Sequence, residues 1–276
     1  MAGIVGATRP GSRGKYKGVA PDANIIGLSV GEGLSIINIQ VLAGVDWIVE
    51  NKAKYNIQVV NNSWGGAGAF NPNDPVNEST RVLHDAGVTV VFAAGNDGPN
   101  QNTMNRRSVA PWVISVAAAC KLNVFDVTNS QSQCADPTGA NRSRVLAGFS
   151  SRGSPGDPLQ HPDVSAPGVR VVSSRSYTGT AINALDAPSD ARLCGIAVEF
   201  VDDYTCASGT SMASPHVAGV IALMEQATNG AITPDGALAV LQATASPLAG
   251  YAEWEVGAGY VDALAAVKKA QSLKLR

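Results

Sequence analysis

The chain has 276 residues and a formal charge of −2, from 20 Lys and Arg against 22 Asp and Glu. Apolar residues make up 45% of it and charged residues 15%, enough apolar material for one large buried core. There is no polybasic block and no apolar run of the roughly 20 residues that cross a bilayer, so we expect neither a nucleic-acid partner nor a membrane span. No internal repeat or Pro- or Ser-rich linker divides the sequence, which predicts one domain over residues 1–276, present as a monomer.

Four apolar, β-branched runs recur at near-regular spacing in the first half of the chain. Such continuous runs are typical of strands buried on both faces, and hence of a parallel sheet. Helix-period segments Ile36–Lys54 and Val76–Ala86 lie between them, and Gly87 is a typical helix stop. Repeated strand–helix–strand order predicts an α/β fold with right-handed crossovers. The predicted strands are Asn24–Val30, Ile57–Asn62, Val88–Ala94 and Trp112–Ala118.

After Lys121 the pattern loosens, and Ser, Asn, Gly and Pro become frequent. Short strands are predicted at Arg144–Phe149 and Val169–Ser173, and residues 174–207 form a long polar excursion. Helical periodicity then returns in three segments. These are Thr210–Gln226, Pro234–Thr244 and Val261–Ser272.

Four cysteines, none in a C-x-x-C pair, argue against a zinc site. Their spacing favours two local disulfides, Cys120–Cys134 and Cys194–Cys206, although four cysteines allow three pairings and could also be buried free thiols. Disulfides would imply an oxidising compartment. We therefore expect an extracellular protein, although the N-terminal residues lack the basic and apolar pattern of a signal peptide.

The strongest chemical signal is the run Gly209-Thr210-Ser211-Met212-Ala213, which places Ser211 at the start of an apolar helix. Negative charge that develops beside its Oγ would be stabilised, because a helix N-terminus carries partial positive charge. Pro215 is compatible with such a helix only near its first turn, where a missing N–H costs little. A plain serine N-cap is the structural alternative.

The full run GTSMASPHVAG resembles the nucleophile motif of the subtilases, the subtilisin-like serine proteases. The resemblance implies that Ser211 attacks the peptide carbonyl. The turn differs from the G-x-S-x-G elbow of α/β-hydrolases, because Ala213 stands in place of the second glycine.

A second motif, Ala93-Ala94-Gly95-Asn96-Asp97-Gly98, ends an apolar run. An Asn side chain can donate an N–H to an oxyanion, while Asn-Asp-Gly is also favourable turn sequence. The motif resembles the A-A-G-N-x-G segment of subtilases. This resemblance implies that Asn96 contributes to an oxyanion hole and that Ala94 and Gly95 lie beside the substrate.

A third motif, Asn61-Asn62-Ser63-Trp64-Gly65-Gly66, resembles the subtilase segment that pairs with an extended substrate as an added strand. The resemblance implies that Ser63, Trp64 and Gly65 line the pocket for the residue before the cleaved bond. A strand end followed by a Gly-rich loop is the structural alternative. The run through Gly68 fails the G-x-G-x-x-G spacing of dinucleotide sites, and no helix pattern follows it at once.

Weaker matches occur in the order that subtilases show, so the resemblance covers nearly the whole chain. They are Gly18-Val19-Ala20-Pro21, Phe149-Ser150-Ser151, Ser165-Ala166-Pro167-Gly168 and Gly257-Ala258-Gly259-Tyr260-Val261-Asp262-Ala263. The resemblance implies a three-layer α/β subtilisin-like fold with a mostly parallel sheet, here without its N-terminal strands. The implied activity is endopeptidase hydrolysis through an acyl-enzyme, without a cofactor for the chemistry. Structural calcium is common in the family, but the loop Thr8–Lys17 lacks a carboxylate, so no metal ligand is predicted.

The Asp and His motifs of the family, D-T/S-G and H-G-T-H-V-A-G, are absent from the sequence. The opening residues Met1–Ala7 resemble the tail of the His motif. None of the three histidines has the catalytic context. His216 lies five positions after Ser211 on the same predicted helix, with a structural role expected, and His84 is expected to be a solvated helix-end residue. His161 lies in a loop without a motif.

Two interpretations follow from the missing motifs. An N-terminally truncated secreted protease is favoured, because degeneration would also damage the motifs of Ser211 and Asn96. The alternative is a genuine short chain that binds peptides without cleaving them, a pseudoprotease. On either interpretation we expect no turnover from this chain alone, and poor solubility where missing strands leave apolar surface bare.

Overall fold

The computed structural model describes residues 1–8, 10–32, 35–121, 134, 145–159, 162–176 and 194–273. The helices of this part are α1 (Ala2–Gly6), α2 (Asn38–Tyr55), α3 (Pro75–Asp85), α4 (Thr210–Thr228), α5 (Pro234–Thr244), α6 (Glu253–Val256) and α7 (Ala263–Leu273). Its strands are β1 (Gly31–Glu32), β2 (Ser35–Ile36), β3 (Val59–Asn62), β4 (Thr89–Ala93), β5 (Ile114–Ala119), β6 (Val164–Pro167), β7 (Val171–Ser174) and β8 (Tyr204–Ala207).

A parallel sheet with the strand order β3-β4-β5-β6 forms the centre of the described structure. Its first three strands lie within or next to the predicted runs, and the predicted parallel pairing is confirmed for them. Strands β4 and β5 are fully buried as predicted, whereas the edge strand β3 is only partly buried. Helix α2 precedes β3, and helix α3 connects β3 to β4. The parallel register aligns Asn62 with Phe92, the last pair between β3 and β4.

Helices cover both faces of this sheet, which gives the three-layer α/β arrangement that the resemblance implied. In β4, Val90 and Phe92 pack in a cluster with α2 and α3, whereas Val91 between them packs against α4 on the opposite face. This alternation follows from the two-residue period of a strand. Helix α4 is buried almost all round, because α1 and α7 pack against it in addition to the sheet.

The predicted strand Asn24–Val30 is wrong: no strand is present in these residues, and Ile25, Ile26 and Leu28 are exposed. An apolar run becomes a strand only when neighbouring strands satisfy its backbone groups. Within the described residues, β3 forms the edge of the sheet, and no strand pairs with its outer side. The run instead packs beside α2, where Leu28 and Val30 lie close to Gly44.

The second half departs from the prediction in smaller ways. Strand β7 confirms the run at Val169–Ser173, but it pairs antiparallel with β8, which lies inside the predicted polar excursion. The predicted strand Arg144–Phe149 is reduced to one bridge between Leu146 and Ala119, and its first residue lies outside the described residues. The cysteines form the two local pairs, Cys120–Cys134 and Cys194–Cys206.

Candidate active site

The N-terminus of helix α4 is held against the carboxyl end of the sheet. Gly209, just before the helix, donates its N–H to the Gly168 carbonyl, and Gly168 donates to Ala119 at the end of β5. Thr210 is fully buried, and Ser211 behind it is partly exposed. The turn therefore presents the Ser211 hydroxyl at the surface on a rigidly packed helix.

Pro215 lies in the interior of α4, as the sixth residue of the helix, rather than in its first turn. Because proline has no N–H, the carbonyl of Ser211, four residues earlier, is left without its usual helix partner. The Ser63 hydroxyl fills this gap and donates to the Ser211 carbonyl at 2.8 Å. Ser63 Oγ also lies 2.9 Å from Ser214 Oγ and accepts from Asn61 Nδ2 at 2.9 Å.

The Ser211 hydroxyl donates to the backbone carbonyl of Ser63 at 3.0 Å. Its own N–H belongs to the first turn of the helix and has no hydrogen-bond partner among the described residues. A hydroxyl and a free backbone N–H of one residue thus lie together at a helix N-terminus.

Asn96 is joined to the same turn through its carboxamide. Its Oδ1 accepts from the Thr210 N–H at 2.9 Å and from the Thr210 hydroxyl at 3.0 Å. Since a backbone N–H can only donate, the atom that it contacts must be the oxygen, and the amide orientation is fixed. Within the described part of the chain, the Asn96 NH₂ group has no partner, and the residue is exposed. This group is a free donor next to the Gly209-Thr210 turn that leads into Ser211.

The loop of Asn96 is anchored from the opposite side by the Phe149-Ser150-Ser151 segment. The Gly95 carbonyl accepts from the Ser151 N–H at 3.0 Å, and the Asp97 N–H donates to the Ser151 hydroxyl at 3.1 Å. Gly95 has φ +115°, and a Cβ there would overlap the Ser151 hydroxyl. Only glycine therefore fits at this point of the loop.

Ser63, Trp64 and Gly65 follow β3 and lie beside Ser211. The Trp64 indole packs edge-on against Phe92 in the core, with ring centroids 5.1 Å apart. Gly65 is exposed, and its N–H and carbonyl have no partner within the residues that the structure describes. Unpaired backbone groups of this kind can pair with an extended peptide.

Ala94 and Gly95 differ from Gly65, because their backbone groups bind other parts of this chain. Ala94 donates to Val116 and accepts from Asn105, and the Gly95 N–H donates to the Thr210 hydroxyl at 3.2 Å. The backbone groups of these two residues are therefore already paired within the chain.

The described histidines contact other groups than Ser211. Both ring nitrogens of His84 lie 3.1 Å from carboxylates, one of Asp85 and one of Asp235, so it links α3 to α5. His216 Nδ1 lies 2.8 Å from the Met212 carbonyl in its own helix, and burial lowers its pKa to about 4. His161 lies outside the described residues.

No group of three or more His, Cys, Asp or Glu residues in the described ranges is arranged to hold a metal ion. No helix in those ranges is both long enough and apolar enough to cross a membrane.

The sequence predicted the two local cysteine pairs and a common site for Ser211, Asn96 and Ser63. It did not predict the contacts that Thr210 and the Ser63 hydroxyl make in that site. The role of Thr210 in orienting Asn96 has no local signal, because the two residues are 114 positions apart. The role of Ser63 toward the Ser211 carbonyl has a partial signal in the four-residue spacing from Ser211 to Pro215.

A family model described as the subtilase family matches residues 1–263 of the chain. The serine protease AprX of Bacillus subtilis is 33% identical over 244 residues, which cover 85% of this chain and 49% of AprX. An extracellular protease of Xanthomonas campestris is 33% identical over 213 residues, 77% of this chain and 29% of that protein. The chain thus spans half or less of the length of these relatives.

Solved structures give the same result for the fold. Fervidolysin from Fervidobacterium pennivorans, a keratinolytic enzyme related to subtilisin, superimposes with a TM-score of 0.70 at 27% identity. The match covers 97% of this chain and 35% of fervidolysin. A protease from Pseudoalteromonas arctica superimposes with a TM-score of 0.69 at 25% identity, over 98% of this chain and 69% of its own.

Proposed function

Because this chain belongs to the subtilase family, we propose that it carries the nucleophile and the oxyanion donors of a serine endopeptidase. Ser211 is the nucleophile, and Asn96 Nδ2 and the Ser211 N–H hold the oxyanion. The observation that carries the proposal is the pair of Thr210 hydrogen bonds to Asn96 Oδ1, which leaves the NH₂ group free next to the turn that leads into Ser211.

In the proposed reaction, Ser211 Oγ attacks the carbonyl carbon of the scissile peptide bond, and its proton passes to a general base. The carbonyl oxygen becomes an oxyanion and accepts hydrogen bonds from the two donors. The base then protonates the leaving nitrogen, the C–N bond breaks, and an acyl-enzyme remains. Water hydrolyses this ester by the same steps and regenerates the serine.

The substrate is proposed to be a peptide or protein segment in extended conformation, paired with the exposed backbone of Gly65. An extracellular location is proposed from the two disulfides and from the name of the Xanthomonas relative, an extracellular protease.

The general base is not supplied by His84 or His216, because the ring contacts of both histidines lie elsewhere. The Ser211 hydroxyl accordingly donates to a backbone carbonyl. His161 lies outside the described residues, and the sequence carries no H-G-T-H-V-A-G motif around any histidine. We therefore propose that the 276-residue chain by itself does not turn over peptides. The same observations favour a second candidate function, a module that binds peptides without cleaving them.

Imidazole in solution provides a test, because it can replace a missing base. The chain is incubated with the p-nitrophenyl ester of a tetra-alanine peptide, with and without imidazole, and acylation is located by peptide mass spectrometry. We expect imidazole-dependent acylation of Ser211 and none in Ser211→Ala. Loss of one oxyanion donor lowers the kcat of subtilisin by about 10²–10³, and we expect a loss of that order in Asn96→Ala, a value carried over from that enzyme.

The outcomes separate the candidates. Binding of the peptide without acylation of Ser211 under any imidazole concentration would favour the non-cleaving module. Steady turnover of a peptide anilide without imidazole, abolished by Ser211→Ala, would contradict the proposal that the base is missing.

A further inference from the structure

Strands β3 and β4 separate at the candidate site, and one side chain lies in the gap. Their last register pair is Asn62 with Phe92, after which the chain continues as two segments that we call the first wall, residues 63–66, and the second wall, residues 93–96. Asn105 lies between these walls and is only 5% exposed.

The Asn105 carboxamide binds both walls. Its Nδ2 donates to the Trp64 carbonyl of the first wall at 3.1 Å and to the Ala93 carbonyl of the second at 3.0 Å. Its Oδ1 accepts from the N–H groups of Gly66, at 3.2 Å, and of Arg107, at 3.0 Å. Both donors and both acceptor positions of the amide are therefore used, which also fixes its orientation.

The backbone and the neighbours of Asn105 strengthen this link. Its N–H donates to the Ala94 carbonyl at 2.7 Å, and a Cβ at Gly65 would overlap its carboxamide. The next residue but one, Arg107, is buried and forms an ion pair with Asp74. The carboxamide is thus a rigid link between the two walls, beyond the last pair of residues that joins β3 to β4.

We propose that Asn105 is a positioning residue, which sets the separation of the two walls between which the peptide residue before the cleaved bond enters. This inference rests on the proposed function. Asn105 touches neither Ser211 nor Asn96, so it acts through the walls: Trp64 and Gly66 on the peptide-pairing side, and Ala93 and Ala94 on the side that leads to Asn96.

The test compares two esters on the full 276-residue chain in imidazole. A tetra-alanine p-nitrophenyl ester must lie between the walls, whereas p-nitrophenyl acetate is too small to span them. In Asn105→Ala and Asn105→Asp we expect the limiting rate of Ser211 acylation by the peptide ester to fall between about 10-fold and 100-fold. Acylation by the acetate ester should hardly change.

Asn105→Asp keeps the size of the side chain and both acceptor contacts but loses the two donors. It replaces Asn105→Ala in the comparison of the two esters if Asn105→Ala fails to fold. The matched control is Asn77→Ala, an Asn that is equally buried, binds Asn71 and Arg107, and lies outside the walls. Near-UV circular dichroism confirms that each variant compared is folded. Asn77→Ala should keep the wild-type ratio of the two rates.

Equal losses with both esters, or the same loss in Asn77→Ala, would overturn the proposal. If wild-type Ser211 is acylated by neither ester, the proposed function fails on its own. The effect of Asn105 on the walls is then tested by the affinity of each variant for a fluorescein-labelled tetra-alanine peptide. Weaker binding in Asn105→Asp but not in Asn77→Ala supports the positioning role, and unchanged binding in Asn105→Asp refutes it.

Discussion

Thr210 and Asn96 lie 114 positions apart, yet one oxygen of Asn96 accepts both hydrogen bonds that Thr210 can direct to it. At the residue scale, this pair decides which end of the Asn96 amide is bound to the turn before Ser211 and which end is left free. Sequence motifs predicted the presence of Asn96 in this place, but not its orientation. The orientation depends on a donor that comes from another element, and only the packing of α4 against the sheet supplies it.

Asp163 is a second residue whose behaviour depends on its surroundings. Its carboxylate accepts from the Ser115 N–H at 2.7 Å, and its backbone binds Ser115 and Ala258, so it joins the starts of β5 and β6 to the C-terminal region. Burial raises its pKa from 3.8 to about 7. The folded state therefore holds this proton more tightly than the unfolded chain does.

Asp163→Asn should change how stability depends on pH. In the wild type, the stabilisation linked to this proton is complete below pH 3.8 and is lost as pH rises through about 7. Each unit of pKa difference corresponds to about 1.4 kcal/mol. The variant should therefore unfold at higher urea concentration than the wild type at pH 8, but not at pH 3.5. Burial also raises the pKa of Glu225 to about 7, so the stability of both proteins keeps some dependence on pH.

Urea titrations at a series of pH values measure this difference. A constant gap between the two proteins over the whole range would show that the Asp163 proton is not linked to folding.

At the scale of elements, helix α4 lacks one of its backbone hydrogen bonds because of a proline in its interior. Pro215 removes the hydrogen bond to the Ser211 carbonyl, and the Ser63 hydroxyl at the end of β3 replaces it. This replacement ties the helix that carries Ser211, the proposed nucleophile, to the strand segment that is proposed to pair with the peptide. The contact of Ser63 with the helix therefore takes the place of the backbone hydrogen bond that Pro215 cannot form.

A double-mutant cycle tests this coupling. Ser63→Ala leaves the part-buried Ser211 carbonyl unpaired, and we expect it to lower the free energy of unfolding by about 0.5–1.5 kcal/mol. In a Pro215→Ala background the restored N–H can bind that carbonyl, so the same change should cost less. The free energy of unfolding is measured by urea titration for all four proteins. Equal costs of Ser63→Ala in both backgrounds would contradict the replacement.

At the scale of the whole molecule, the described sheet has an unpaired edge at β3, and five exposed apolar side chains, which we treat as one patch, lie in the segment from Ile25 to Ile39. We define the patch as Ile25, Ile26, Leu28, Ile36 and Ile39, the last of which is 70% exposed. Open strand edges and contiguous apolar surface promote association between molecules. The chain by itself should therefore self-associate as its concentration rises.

Charges in the patch should reduce that association. For Ile26→Lys combined with Ile39→Lys, we expect a smaller mean mass at high concentration by light scattering and weaker binding of the dye ANS. Val198→Lys is the control, because Val198 is 78% exposed but lies in a separate turn. If this control reduces the mass as much as the double variant does, the patch is not the cause.

The sequence by itself determined the family and the layers of this protein. Ser211 and Asn96 stand in specific motifs, and the continuous apolar run of β4 by itself indicates a strand buried on both faces. The tertiary structure decided what depends on neighbours. Residues 24–30 form no strand, because strand formation requires partners on the backbone and none is present among the described residues. Asn105 joins the two walls through hydrogen bonds to Trp64, 41 positions away, and to Ala93, so no local pattern reveals it.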